Sequence, residues 1–423
     1  MSIKSLLSGS AVYLLANLAS AALPFALLPV LTRYLGPTEY GVVAMFQALV
    51  AGLGAVVGFG VVGSIARKYY DADSSRHQLR DFIGICIQIT LVSGLLALLG
   101  VTVLQDAIDE WLGLDLRWTV LAVAVATATV LVQIRLSQWQ VKGEAVRYAV
   151  LQTAQSGLAV VLSLIAVLVC AMGAEGRILA IALAICTSAL AALWLLRRDG
   201  LLRLKVWNVL YAKEALAFGL PLMPHTLGGF LLFSADRFVI SANLGLSDAG
   251  VYAVAAQLIS VMGMVFGAVN NAYVPWLFQR LKDDVPAEKR QIVRYTYIWF
   301  GLIILSVACA FLVGPPLVVL IAGDEFAEAG SVIGWLALSQ AFVGMYLMVT
   351  NYIFFSKKTV YLSFATLLSG VINLILLPLM VVSYGLKGAA GAACIANGLQ
   401  FVVTWWLATR LHPMPWFGVR VGK

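Results

Sequence analysis

The chain of 423 residues carries 28 Lys and Arg against 20 Asp and Glu, and it is 62% hydrophobic with only 11% charged residues, where soluble domains average roughly 45–50% and 25%. That composition excludes a water-soluble globular fold, and the lack of period-two alternation excludes a β-barrel. The fold class is therefore all-α: a polytopic membrane protein whose helices satisfy their own backbone in lipid. Twelve spans are predicted, at residues 6–31, 40–65, 82–104, 118–137, 150–172, 178–196, 215–240, 250–276, 295–313, 331–355, 360–382 and 388–408. The first imitates a cleaved leader at Ala19-Ser20-Ala21, but it runs on to Leu31 and is read as a span. The stretch 314–323 opens with Pro315-Pro316 and is expected either to lie in the interface or to extend the ninth span.

Orientation follows from the cations. With the N-terminus inside, twenty-two of the 28 basic residues fall on the cytoplasmic side; Arg33, Arg117, Arg177 and Lys387 fall outside, and Arg135 and Arg237 within spans. This places both termini in the cytoplasm and accounts for the net charge of +8 without a nucleic-acid partner. The five cysteines are scattered through apolar segments and read as small core residues. External connections are short, the longest polar one being 105–117, which leaves little outside structure on which an enzyme could hold a donor and an acceptor.

The chain is written twice. LGPTEYGVVA at 35–44 returns as LGLSDAGVYA at 244–253, an offset of 209 residues that also pairs Leu49 with Leu258, Gly54 with Gly263 and Gly58 with Gly267. Glycines held in register mark close helix approach. The predicted domains are a six-helix lobe at 1–196, a basic amphipathic linker on the membrane surface at 197–214, a second six-helix lobe at 215–409 and a cytoplasmic tail at 410–423. Six spans per copy make the repeats parallel, an architecture that binds cargo between halves and rocks one against the other.

No Walker A loop, H-E-x-x-H or G-x-S-x-G occurs, so neither ATP hydrolysis nor metal catalysis is encoded, and no cofactor is expected beyond a coupling ion, H+ or Na+. Gly58-Phe59-Gly60-Val61-Val62-Gly63 matches a dinucleotide fingerprint but lies in an apolar run without a preceding strand, and is read as helix packing. The repeat then isolates unusual polar residues: Asp236 and Arg237 stand where the first copy has Leu27 and Leu28, His225 where it has Ala16, and Asn270 and Asn271 where it has Val61 and Val62. Charge inside a span is costly and marks a functional site by default. On an unbroken seventh helix His225 and Asp236 share a face. The candidate substrate-binding residues are Arg33, Arg135, His225, Asp236, Arg237, Asn270 and Asn271, a cationic route suited to an anionic, hydrogen-bonding cargo such as a sugar diphosphate. Each has a structural alternative: Arg33 and Arg135 as snorkelling cations, Asp236-Arg237 as an ion pair, His225 as a core histidine, the asparagines as helix bridges.

The strings LPVLTRYLGPTEYG, LPLMPH, SADRFVI, LGLSDAGVYAVA and NNAYVPWLF resemble the polysaccharide-repeat flippases, the Wzx-type branch of the multidrug/oligosaccharidyl-lipid/polysaccharide exporter superfamily. The resemblance implies a bacterial inner-membrane protein that moves an undecaprenyl-diphosphate-linked oligosaccharide from the cytoplasmic to the periplasmic leaflet for O-antigen, capsule or exopolysaccharide assembly. It also implies two MATE-like lobes, alternating access powered by an ion gradient or membrane potential, and glycosyltransferase or polymerase partners. By position, Arg33 and the Asp236-Arg237 pair are the lumen candidates it supports. A multidrug or organic-cation antiporter and a lipid-linked glycan polymerase or ligase remain the alternatives; multidrug antiporters usually carry an acidic residue in the first span, and this one has none.

Overall fold

A computed structural model describes residues 3–70, 76–106, 108, 115–205, 207–283, 285–358 and 360–416. The middle of the 105–117 connection, part of the 197–214 linker and residues 417–423 of the expected tail lie outside the described residues. The described residues form helices and turns, as apolar side chains and lipid-isolated backbone require.

The helices are α1 (Ile3–Tyr34), α2 (Pro37–Val56), α3 (Val61–Tyr70), α4 (Arg76–Val103), α5 (Leu116–Lys142), α6 (Ala145–Leu164), α7 (Gly173–Arg198), α8 (Val209–Gly219), α9 (Met223–Phe233), α10 (Asp236–Leu244), α11 (Leu246–Asp283), α12 (Pro286–Ala322), α13 (Gly330–Phe355) and α14 (Val360–Leu411). Among the described residues, 11 elements are long and apolar enough to cross a membrane. The last of these, 52 residues long, folds back at Gly385, whose φ of 59° and ψ of −141° only glycine adopts readily. Dividing it there gives the expected twelve. The 314–323 stretch extends the ninth span, since α12 runs through Pro315 and Pro316 to Ala322.

Two compact units emerge: Met1–Phe230 with Gly245–Gly250, and Leu231–Leu244 with Val251–Lys423. In the first, α5 is the hub, packed against α2, α3, α4, α6 and α7, through small and branched buried residues such as Ala122, Val125, Ala126 and Ile134. In the second, α13 takes the same part between α12 and α14, presenting buried Gly334, Ala337, Ala341 and Gly344 along one face. α5 is the fourth span of the first half and α13 the fourth of the second, so the duplicated pattern reappears as duplicated packing. The repeated turns explain why Gly245–Gly250 joins the first unit. A Cβ on Gly41 would strike the Leu246 carbonyl and one on Gly250 the Pro37 carbonyl, so each turn's glycine seats the other's backbone.

Two spans expected to be continuous are broken. The second stops at Val56 and restarts at Val61, with Gly58, Phe59 and Gly60 all at positive φ and the Gly58 N–H donating to Ser93 Oγ at 2.8 Å. The glycine pattern there makes a turn rather than a helix-packing face, and Gly60 meets the Gly219 backbone. The seventh span is cut by the 3-10 turn Leu220–Leu222 and again between Phe233 and Asp236.

The linker is tied to the first unit by its own contacts. Residues 201–205 form no helical turn; Gln88 Nε2 donates to the Leu204 carbonyl at 2.6 Å and Arg203 pairs with Asp81 at 3.3 Å. α8 then packs on α3 and α4, and Lys68 reaches Glu214 at 2.9 Å. These contacts hold the entry of the seventh span in the first unit and move the division between units on to Phe230. Arg177 lies buried in the first turns of α7 and donates to Ser163 Oγ.

Candidate functional site

The break between α9 and α10 builds a site out of backbone chemistry. In an unbroken helix the Arg237 N–H would donate to the Phe233 carbonyl. Here that N–H donates instead to Asp236 Oδ1 at 2.9 Å, while Arg237 Nη1 donates to the Phe233 carbonyl at 2.7 Å and to Asp236 Oδ1 at 2.9 Å. Two side chains thus replace one rung of the ladder. Asp236 also sits in the first turn of α10, where the helix dipole favours an anion. Asn373 Nδ2 takes up a second carbonyl near the gap, that of Leu231, at 2.9 Å.

The pair lines a cavity of about 60 Å³ within the second unit, together with Tyr252, Ser339, Gln340 and Asn397. Asp236 is buried at 7% exposure, and the Arg237 side chain keeps 19%. The buried Tyr252 hydroxyl approaches the Asp236 carboxylate. Asn397 Nδ2 donates to Ser339 Oγ at 2.9 Å and leaves its own oxygen unpaired. The arrangement offers an anion, a cation and an unpaired amide oxygen in a small space. That combination can hold a small cation or a proton, or meet an anionic group through the guanidinium.

The other expected residues are placed elsewhere. Arg135 is fully buried in the first unit, paired with Asp199, donating to Gln138 Oε1 at 2.6 Å and lying over the Trp139 ring at 4.1 Å. Its charge is committed to these partners, so it neither snorkels nor lines a passage. Burial pushes the Asp199 carboxyl up, but the hydrogen bond and charge of Arg135, with Arg147 and Lys142, more than offset this and hold it below its ordinary value. Arg33 is exposed in the last turn of α1, where a cation suits the helix C-terminus. His225 is half-buried on α9 with Nδ1 unpaired. Because the helix breaks between them, His225 and Asp236 do not share a face, and they belong to different units. Asn270 accepts from Asn351 Nδ2 at 2.8 Å, a bridge from α11 to α13, while Asn271 is exposed. Only Asp236 and Arg237 of the seven expected residues are brought together among the described contacts.

Tyr252, Ser339, Gln340 and Asn397 were not among the expected residues. Tyr252 had the same signal as Asp236, since the repeat offset sets it against Val43. The others are isolated polar residues in otherwise apolar spans, which composition does not separate from helix-bridging groups.

Residues 6–281, well over half the chain, match the family described as polysaccharide biosynthesis protein. The chain belongs to that family. Curated proteins are similar along most of their length. A protein of the Lsg locus of Haemophilus influenzae is 26% identical over 407 residues, covering 93% of this chain and 97% of that one. The probable low-salt glycan biosynthesis flippase Agl15 of Haloferax volcanii is 23% identical, covering 92% and 79%. Among solved structures, the lipid II flippase MurJ in an inward closed conformation superposes with a TM-score of 0.76 over 94% of this chain and 87% of that one, at 12% identity. An inward-facing multidrug MATE transporter of the MOP superfamily superposes with a TM-score of 0.74 over 94% of each chain, at 17% identity. At such identities these two fix the fold of the family member, a MATE-like multi-pass membrane protein, and nothing finer.

Proposed function

We propose that this family member is a flippase that carries lipid-linked oligosaccharide repeat units across the membrane by alternating access. Membership of the polysaccharide biosynthesis family supports the cargo class, and a relative named as a glycan biosynthesis flippase supports the activity. The observation that carries the mechanism is the broken seventh span, whose Asp236-Arg237 pair lines a small polar cavity inside the second unit. Discontinuous spans that expose charge at membrane depth are a recurring device of secondary transporters. Arg237 is the cation offered to the diphosphate, and Asp236 is the group through which an H+ or Na+ gradient drives the cycle. The protein acts as a transporter rather than an enzyme, in the bacterial inner membrane with both termini cytoplasmic, beside the glycosyltransferases and polymerase of its pathway. Undecaprenyl diphosphate is the carrier lipid assigned.

The test is the fate of the intermediate in a deletion strain. Lipid-linked repeat units should accumulate on the cytoplasmic face and clear on complementation; periplasmic single repeats instead would mark a polymerase and overturn the assignment.

A further inference from the structure

The hub helix of the first unit is left open along one side. α4 and α7 each pack on α5, and between them runs a groove of about 470 Å³. Its floor is a stripe of α5 at helical spacing, Val120, Ala124, Thr127, Ala128 and Leu131, about 16 Å long at 1.5 Å of rise per residue. Leucines between 91 and 98 make the wall on α4, and residues between 186 and 193 make the wall on α7. Gly94 keeps the first wall close, since a Cβ there would lie 2.5 Å from Thr127 Oγ1.

The groove makes no polar demand on what fills it. Its lining holds no charged or aromatic side chain, and the Thr127 hydroxyl is already spent on the Val123 carbonyl at 2.8 Å. Leu95 is 57% exposed and Leu190 67%, so the slot opens sideways to lipid and takes a hydrocarbon chain. Its depth narrows the choice of chain. Three crossings separate α4 from α7, so the two run in opposite directions. The α4 wall lies in the second half of Arg76–Val103 and the α7 wall in the second half of Gly173–Arg198. They therefore serve opposite halves of the bilayer, and the groove passes through its midplane. An acyl chain anchored in one leaflet stops about there, whereas a long polyisoprenoid runs on.

Charge points the same way. Beyond Leu190 the same face of α7 continues to Trp194 and Arg198 at four-residue spacing. Trp194 is exposed, the Arg198 guanidinium lies 5.5 Å from its ring centroid, and Arg197 stands exposed beside them. A ring and two cations at one end suit a phosphate-bearing head whose tail extends along the groove. We infer that the groove between α4, α5 and α7 seats the polyisoprenoid tail of the cargo's carrier lipid, with the diphosphate met at Arg197 and Arg198 before it reaches Arg237. The seat rests on the flippase reading for the identity of the lipid. It deepens that reading by giving the tail an address on the first unit.

The experiment uses the full chain in phosphatidylcholine nanodiscs and undecaprenyl phosphate carrying a diazirine in its tail, with crosslinked residues located by mass spectrometry. Label should fall on the groove residues of α4, α5 and α7. Undecaprenyl diphosphate should displace it at a mole fraction about tenfold or more below that needed with dioleoyl phosphatidic acid, whose chains stop at the midplane. Ala124→Trp fills the floor from an exposed position, and Leu190→Trp fills it from the α7 wall. Each should cut labelling about tenfold, the scale of two buried methylenes, and either answers if the other fails to fold. Replacing Arg197 and Arg198 together by alanine should weaken displacement by undecaprenyl diphosphate and leave that by undecaprenol unchanged. Equal displacement by phosphatidic acid, label outside the groove, full labelling in both tryptophan variants, or diphosphate displacement indifferent to the two arginines would overturn the seat. Binding is read here without transport, so the seat can fail while export continues.

Discussion

Replacing Arg237 by alanine removes the side-chain donor on which the Phe233 carbonyl relies and leaves the Asp236 carboxylate without its counter-charge, held by the backbone N–H of residue 237 in a cavity of about 60 Å³. Breaking a buried pair from one side costs about 3–5 kcal/mol. Arg237→Ala is therefore expected to abolish surface polysaccharide in a complementation assay while protein is still detected in the membrane fraction; normal polymer from well-expressed variant would remove Arg237 from the transport route. Asp236→Asn keeps an oxygen for the Arg237 N–H and loses only the charge. It should impair transport by uncoupling it, seen as export that no longer responds when proton and sodium gradients are collapsed. Arg135 gives the opposite expectation, since its guanidinium is engaged by Asp199, Gln138 and Trp139. Arg135→Leu should lower the melting temperature in detergent, yet leave export per molecule of surviving protein near wild type. Its partner sets a pH dependence. Because the folded Asp199 pKa is depressed below the ordinary 3.8, the stability it contributes is complete above the ordinary carboxylate range and is lost as pH falls through the folded value. Wild-type melting temperature should thus drop on strong acidification more steeply than that of Asp199→Asn, which has no charge to lose.

Among the elements, the fold divides into what hydropathy shows and what it averages away. The spans were legible because lipid demands about 20 apolar residues per crossing, and the repeat was legible because glycines at 41 and 250 must stay glycine for their turns to seat each other. The breaks were not. A turn of four residues at Val57-Gly58-Phe59-Gly60 is as apolar as the helices around it, and only its φ values distinguish it. Likewise Ser234-Ala235 reads as ordinary helix until Asp236 and Arg237 are seen to replace a backbone bond. The dyad was legible in the sequence as a candidate because charge in a span is conspicuous, whereas Ser339 and Asn397 beside it are single uncharged polar residues that composition does not set apart. At this scale Gly385→Ala is expected to be harmful. Its φ of 59° with ψ of −141° lies outside the regions open to alanine, at a cost of about 1–3 kcal/mol. The check is reduced yield of folded protein, measured by size-exclusion of the detergent-extracted variant.

For the molecule as a whole, the seventh span has two homes. Its entry, α8 and most of α9, is counted with the first unit, and α10 with the second, so the sequence linker at 197–214 is not where the compact units part. The tie is made by ordinary contacts: Lys68 to Glu214, Arg203 to Asp81 and Gly60 against Gly219. It could not be read from the sequence because each contact joins residues far apart in the chain. A chain cleaved by an engineered protease site after Gly200 should therefore keep its two fragments together through affinity purification in mild detergent. Separation of the fragments would show that α8 and α9 do not hold to the first unit.

Amide-to-carbonyl bonds inside a lipid-embedded helix are deaf to the solution outside. The Asp236-Arg237 splice is not, for a carboxylate can be neutralised by a proton or a sodium ion and a guanidinium can be drawn off by a competing phosphate. The joint between α9 and α10 is therefore a rivet whose grip varies with whatever enters the cavity beside it. On the flippase function proposed above, loading of cargo and loosening of the span become a single chemical event at one address.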